Sequence, residues 1–154
     1  MRAVVQRVSE ASVAVEGSVI GRCGRGLLVL LGIGAGDGPA QAEQLWGKIY
    51  KLRIFPAGDK PTGASLGDIG GSVLVVSQFT LYADCRKGNR PSFTAAGDPG
   101  ESQRLYELFL QRARQDIPDA AGGEFGADMQ VSLVNDGPFT ICLDTDDLKR
   151  PRRS

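Results

Sequence analysis

The stretch "GLLVLLGIG", Gly26 to Gly34, is apolar along its length instead of at alternate positions. A half-buried strand alternates, so a short continuous run bounded by glycines reads as a strand covered on both faces, central in its sheet. Before it, Ala3 to Val8 and Ser12 to Val15 alternate, Glu16-Gly17 turns, and Ser18 to Gly21 returns, in the manner of a β meander. After it, Asp37-Gly38-Pro39 supplies a helix cap and a proline suited to the first helical position. Leu45, Ile49 and Leu52 then form an apolar stripe to about Arg53.

Further along, Phe55 to Gly71 is turn-rich and aperiodic, and Val73 to Val76 is a second apolar strand. Asp98-Pro99 with Glu101 begins another helix, carried by Leu105, Leu108, Phe109 and Arg112 to about Arg114. Two last strands, Met129 to Val134 and Phe139 to Leu143, are expected to flank Asn135-Asp136-Gly137-Pro138. The pattern predicts an α+β fold: one domain with a mixed, barrel-like sheet and two main helices outside. A chain of 154 residues suits a single domain.

Composition removes several function classes. Apolar residues make up 42% of the chain and charged ones 23%, a globular balance, and no run approaches a membrane span. The first residues alternate and offer no apolar signal core, so a soluble, cytoplasmic protein without a membrane partner is expected. Cys23, Cys85 and Cys142 are odd in number and far apart, which fits free thiols and no structural zinc; no metal or cofactor is expected. Histidine is absent, which removes Ser-His-Asp and Cys-His catalysis. Lys+Arg and Asp+Glu both number 18, so any nucleic-acid contact must be local. The two basic clusters are Arg86, Lys87 and Arg90, and the tail Lys149, Arg150, Arg152 and Arg153; charge alone makes each a solvated segment. "GIGAGDG", Gly32 to Gly38, lacks the glycine spacing of a dinucleotide fingerprint and the Lys-Ser/Thr of a phosphate loop. Asp136, Asp144, Asp146 and Asp147 read as solvated acids, and Cys85 as an incidental thiol. Met129 and Phe125 fit a pocket wall or the core equally well.

Two segments carry more. The strand Val73 to Val76 ends in Ser77-Gln78-Phe79-Thr80-Leu81, placing hydroxyls, an amide and newly unpaired backbone N–H groups at a sheet rim, where binding sites are built. Bonding of the turn's own backbone would account for Ser77 and Thr80 as well. Gly137-Pro138 lies between apolar strands, where proline cannot donate to a ladder, so it must make a bend or an exposed edge.

Together "SQFTL" (77 to 81) and "NDGPFT" (135 to 140) resemble the two signature motifs of the bacterial-type D-aminoacyl-tRNA deacylases. "QRVSEASVAVEG" (6 to 17), "GLLVLLGIG" (26 to 34), "GGSVLVVSQFTLYAD" (70 to 84), "RPSF" (90 to 93) and "ADMQVSLVNDGP" (127 to 138) are similar to that family in order and spacing. The resemblance spans residues 1 to 145 as one deacylase domain and leaves 146 to 154 as a basic, flexible tail. It implies a cytoplasmic homodimer that hydrolyses the ester between a D-amino acid, or glycine, and the terminal adenosine of tRNA. It further implies that Ser77, Gln78, Phe79 and Thr80 line the catalytic pocket, with N–H groups near Phe79 and Thr80 facing the ester carbonyl. A cis Gly137-Pro138 would reach into the partner's site and reject L-amino acids, the ribose 2′-hydroxyl would assist the reaction, and Arg86, Lys87 and Arg90 would contact tRNA. An activated ester explains the missing histidine, because the protein need only position and polarise. Thr80 is given a pocket role, since no general base is visible to activate it.

The sequence departs from the family in two places. Phe139 stands where a smaller valine is usual, and either crowds the strand or repacks it; the loop "DKPTGASLGDIGG" lacks a customary Met-Asn pair. Related alternatives are an editing domain of archaeal threonyl-tRNA synthetase, disfavoured by the absence of a synthetase domain, and a sister group removing L-alanine, disfavoured by the intact SQFTL. A catalytically silent RNA-binding dimer is the reading from another class.

Overall fold

The computed structural model describes residues 1–153. In chain order the elements are β1 (Arg2–Val15), β2 (Ser18–Cys23), β3 (Gly26–Gly32), α1 (Pro39–Lys51), β4 (Phe55–Ala57), β5 (Lys60–Ala64) and β6 (Ser72–Ser77). There follow a 3-10 turn (Phe79–Tyr82), α2 (Pro99–Asp116), β7 (Ala121–Gly122), β8 (Gln130–Asp144) and the short α3 (Thr145–Leu148). The main sheet runs β2-β1-β3-β6-β7, with β8 also paired to β1. β3 pairs β1 antiparallel and β6 parallel, so it is central, as its continuous apolar run predicts. Gly21 of β2 lies so close to the carbonyl of Gly122 in β7 that a Cβ would stand 2.5 Å from it, which brings the two ends of the sheet nearly together.

Apolar residues fill both faces. Leu27, Val29 and Leu31 of β3 join Leu45, Trp46 and Ile49 of α1 and Leu105 and Phe109 of α2 in the larger core. Leu28 points the other way, into a second cluster with Val8, Val13, Leu74 and Val76 inside the curl of the sheet. Each such burial is worth about 1.5–3 kcal/mol, which is why β3 has no polar face. The outer helices are tied by Arg112, which bridges Glu43 of α1 at 2.8 Å and Asp116 at 2.7 Å, while Asp116 also accepts the Trp46 indole N–H at 2.9 Å.

The structure corrects several expectations of local structure. The two opening strands are one 14-residue strand, because β8 pairs with β1 along nearly its whole length. The expected pair Met129 to Val134 and Phe139 to Leu143 is likewise one strand, β8, which passes through the Gly-Pro dipeptide without reversing. Register explains how: Gln6 pairs Thr140 and Val8 pairs Asn135, so Asp136, Gly137, Pro138 and Phe139 all stand opposite Arg7 and bulge from an edge strand. The aperiodic connection contains the hairpin β4–β5. The cap of α1 is Gly38, whose N–H donates to Gln41 Oε1 at 2.8 Å; Asp37 instead accepts the Gly34 N–H at 2.7 Å and the Met1 ammonium at 2.9 Å. Asp98 caps α2 as expected, accepting the Glu101 N–H at 3.2 Å. Of the tail, Asp146 to Leu148 continue the helical turn α3 behind buried Thr145, and Arg150 pairs with Asp147 at 3.2 Å; Ser154 lies outside the described residues. Among the described residues no helix is long and apolar enough to cross a membrane.

Candidate active site

Ser77 is the last residue of β6, opposite Leu31 in the parallel register, and the Gln78 N–H still donates to the Leu31 carbonyl at 2.8 Å. There pairing stops and the chain folds into the 3-10 turn, whose Leu81 N–H returns to Gln78 O at 3.3 Å. The turn packs over the end of β3 because that end carries glycine: a Cβ at Gly32 would lie 2.9 Å from Leu81 Cβ, and one at Gly34 would lie 2.6 Å from the Tyr82 ring. Gly32 and Gly34 of "GIGAGDG" therefore serve close approach of the turn.

Among the described residues, the backbone N–H groups of Phe79 and Thr80 have no partner within the chain, as the first positions of a helical turn require. Both residues are exposed, Phe79 at 59%. The Thr80 hydroxyl accepts a hydrogen bond from the Gln78 side-chain amide, so these two side chains orient each other. Phe79 meets Phe93 edge to face, with ring centroids 5.0 Å apart.

Ser77, Gln78, Phe79 and Phe93 line a cleft of about 590 Å³; Thr80, expected in the pocket, is not among the residues that line it. Its lining draws on three segments: Ser77, Gln78 and Phe79; Phe93, Ala96 and Gly97; and Phe125, Gly126, Ala127 and Met129. Phe125 and Met129, open between core and pocket from sequence, do both: they line the cleft and pack against the two core clusters. No aspartate, glutamate, lysine, arginine, tyrosine or cysteine side chain lines this cleft, so it offers no acid, base or thiol of its own. No group of three or more metal-ligating side chains is formed among the described residues.

Gly137 and Pro138 do not line this cleft. They are exposed on the free edge of β8, joined by a cis peptide bond, with Gly137 at φ +140. Two residues beyond the predicted site residues hold the bulge. Asn135 donates from Nδ2 to the carbonyls of Phe139 at 3.1 Å and Arg7 at 3.3 Å, and its Oδ1 accepts the Phe139 N–H at 2.8 Å. Arg7, 9% exposed, donates from Nε to Asp136 O at 3.0 Å and from Nη1 to Ile54 O at 2.6 Å. Its guanidinium also lies 4.8 Å from the centroid of the Phe139 ring, so the large residue at 139 is accommodated as a platform for a buried cation. Arg7 carried a sequence signal, since it falls on the inward phase set by Ala3 and Val5, where a charge needs a partner.

Arg86, Lys87 and Arg90 stand on an exposed loop closed at its base by Asp84 and Ser92, which exchange backbone hydrogen bonds at 2.7 and 2.9 Å. Phe93 follows directly, so the loop adjoins the cleft mouth. Arg86 is engaged by Asp84 at 2.7 Å, and those hydrogen bonds pull the Asp84 carboxyl down to about 2. Cys85 is exposed and outside the cleft lining, whereas burial pushes the Cys23 thiol up to about 11.

Residues 4–144 match the family model described as D-Tyr-tRNA(Tyr) deacylase. The chain belongs to that family. It is 57% identical over 145 residues to the D-aminoacyl-tRNA deacylase of Ruegeria pomeroyi, covering 94% of this chain and 99% of the relative. It is 55% identical over 152 residues to the D-aminoacyl-tRNA deacylase of Roseiflexus castenholzii, covering 99% and 97%. Among solved structures it resembles the c-Myc DNA Unwinding Element Binding Protein, with a TM-score of 0.88 and 41% identity over 94% of this chain and 98% of the other. A probable eukaryotic D-amino acid tRNA deacylase shares the fold at a TM-score of 0.80 and 16% identity, covering 92% and 97%. The deacylases are hydrolases, and the α+β fold expected from the sequence pattern is the fold observed.

Proposed function

We propose that this deacylase hydrolyses the ester joining a D-amino acid, or glycine, to the terminal adenosine of tRNA, in the cytoplasm. One observation carries the reading: a cleft without a titratable lining side chain is lined by Phe79, at the start of a turn where the backbone N–H groups of Phe79 and Thr80 are unpaired. Such a cleft suits a substrate that is already activated. Hydrogen-bond donors fixed before the reaction stabilise the oxyanion that develops on the ester carbonyl, at about 10²–10³ in rate per donor. With no base lining the cleft, proton movement falls to water and to the ribose 2′-hydroxyl beside the ester, while Ser77, Gln78 and Thr80 orient the substrate.

The exposed Gly137-Pro138 bulge belongs to the partner's site in a homodimer. The free outer edge of β8 and its exposed Leu133 and Val134 supply a surface for a two-fold contact. Inserted into the partner's cleft, the dipeptide's rigid backbone carbonyls leave room for the hydrogen of a D-residue or glycine and exclude an L side chain. Arg86, Lys87 and Arg90 then meet the tRNA backbone without reading sequence, as an enzyme serving many tRNAs requires.

Subunit complementation tests the shared site. Phe79→Pro, which deletes a cleft N–H, and Gly137→Ala, which displaces the dipeptide, are each expected to inactivate a homodimer. Co-expressed, they give heterodimers with one intact site in two, and about a quarter of wild-type activity should return. No recovery, with heterodimers present, would place the dipeptide outside the partner's site.

A further inference from the structure

The cleft wall formed by Gly123 to Ala127 is thin. Its near side lines the cleft through Phe125, Gly126 and Ala127, and its far side borders a second hollow of about 590 Å³ floored by Gln103, Tyr106, Glu107 and Leu110 of α2. Between the two hollows the wall's apolar anchor is Phe125, which packs on the core and beside the Tyr106 ring. Among the described residues, the backbone of this segment is hydrogen-bonded to the rest of the chain only through the Gly123 N–H; the Ala127 N–H turns back on Glu124 at 3.2 Å.

That one attachment is a triangle built on Tyr106. The Tyr106 hydroxyl donates to the Val75 carbonyl at 2.8 Å and accepts the Gly123 N–H at 3.0 Å, and the same N–H reaches Val75 O at a longer 3.3 Å. Val75 lies two residues before Ser77 on the strand whose end, Val76 and Ser77, also lines the cleft. One hydroxyl therefore ties the two segments together. The ring, 3% exposed, packs beside Phe125 with centroids 6.0 Å apart. Glycine at 122 leaves the hydroxyl its place, since a Cβ there would lie 2.7 Å from it and 2.6 Å from Leu110 Cδ2. Burial raises the Tyr106 pKa above the ordinary phenol value, so the hydroxyl keeps its proton and stays a donor at neutral pH.

We propose that the Tyr106 hydroxyl sets the width of the cleft, acting as a positioning residue that holds the 123–127 wall at its distance from the Ser77 strand. The inference rests on the deacylase reading for its kinetic consequence alone. Without the hydroxyl the wall samples wider positions, and only the fraction of molecules with the wall in place binds substrate well; the apparent affinity falls by that fraction. The hydrolytic step, on the Phe79–Thr80 side, is spared.

Tyr106→Phe keeps the ring and removes only the hydroxyl. The expected result is a KM for D-tyrosyl-tRNA raised about five- to tenfold, the worth of one lost hydrogen bond, with kcat within about twofold. Amide hydrogen exchange, which needs no substrate, should quicken at 123–127 and remain unchanged in β1 and β3. Gly122→Ala, which crowds the hydroxyl, should move KM and the same amides in the same direction. Phe109→Leu destabilises the same core without touching the wall and should leave KM alone. An unchanged KM in Tyr106→Phe, or a KM rise equally produced by Phe109→Leu, would overturn the proposal. Unaltered exchange at 123–127 would overturn it too, even if the wild type left the ester intact and the deacylase reading had itself failed.

Discussion

The SQFTL turn and the Gly137-Pro138 bulge lie at opposite extremes of backbone satisfaction. At the turn, pairing ends and the N–H groups of Phe79 and Thr80 are left unbonded, at the end of a strand that lines the cleft. In the bulge, Asn135 engages Phe139 at both its N–H and its carbonyl, and Arg7 holds the carbonyl of Asp136. The first region presents unused donors to a concave space; the second is a clamped projection on a free edge. A concave site lacking acids and bases and a rigid projection with nothing of its own to fill are complementary halves, which is the physical argument for completing one subunit's cleft with the other's bulge.

The sharpest way to break this contrast is to remove an unused donor. Proline is tolerated at the first position of a helical turn, so Phe79→Pro should keep the turn and delete the N–H, lowering kcat by about 10²–10³. Phe79→Ala keeps the N–H, and single-turnover kinetics should show it losing less than about tenfold. If the two variants fall equally, the ring and not the donor matters.

Next comes the projection. An alanine Cβ at 137 would lie 2.9 Å from the Phe139 nitrogen at a φ of +140, and strain of about 1–3 kcal/mol should move the dipeptide. Gly137→Ala is expected to lose D-ester hydrolysis about ten- to hundredfold, whereas Cys85→Ala stays within about twofold. Equal, small effects would count against the site assignment.

Unclamping should act through stability as well. Arg7→Met leaves the carbonyls of Asp136 and Ile54 without their cationic donor, and denaturant unfolding should show a loss of about 2–3 kcal/mol. The smallest effects belong to the loop beside the cleft: Lys87→Ala and Arg90→Ala should leave kcat intact and each lower the slope of log KM against log salt by about 0.7–0.9. An unchanged slope would remove that loop from the tRNA contact.

Much of this was legible before the structure, for identifiable reasons. The unbroken apolar run at 26–34 announces a strand with two buried faces, and Asp98-Pro99 announces a helix start, because burial and capping are local in sequence. The single long β8 was not legible: Gly137-Pro138 is a breaker by local rules, and only pairing with β1 shows that an edge strand absorbs it as a bulge. Arg7 as its clamp is equally non-local, since its partners lie at Asp136 and Ile54. The role of Gly32 and Gly34 was not legible, because the turn they accommodate lies far along the chain, at Leu81 and Tyr82.

The most direct test of the whole account is the rate of ester loss from D-tyrosyl-, L-tyrosyl- and glycyl-tRNA with purified protein, against a no-enzyme control. Rapid loss of the D-tyrosyl and glycyl esters with the L-tyrosyl ester spared is the predicted result. Tight tRNA binding with all three esters intact would contradict it, leaving an RNA-binding protein on a deacylase fold.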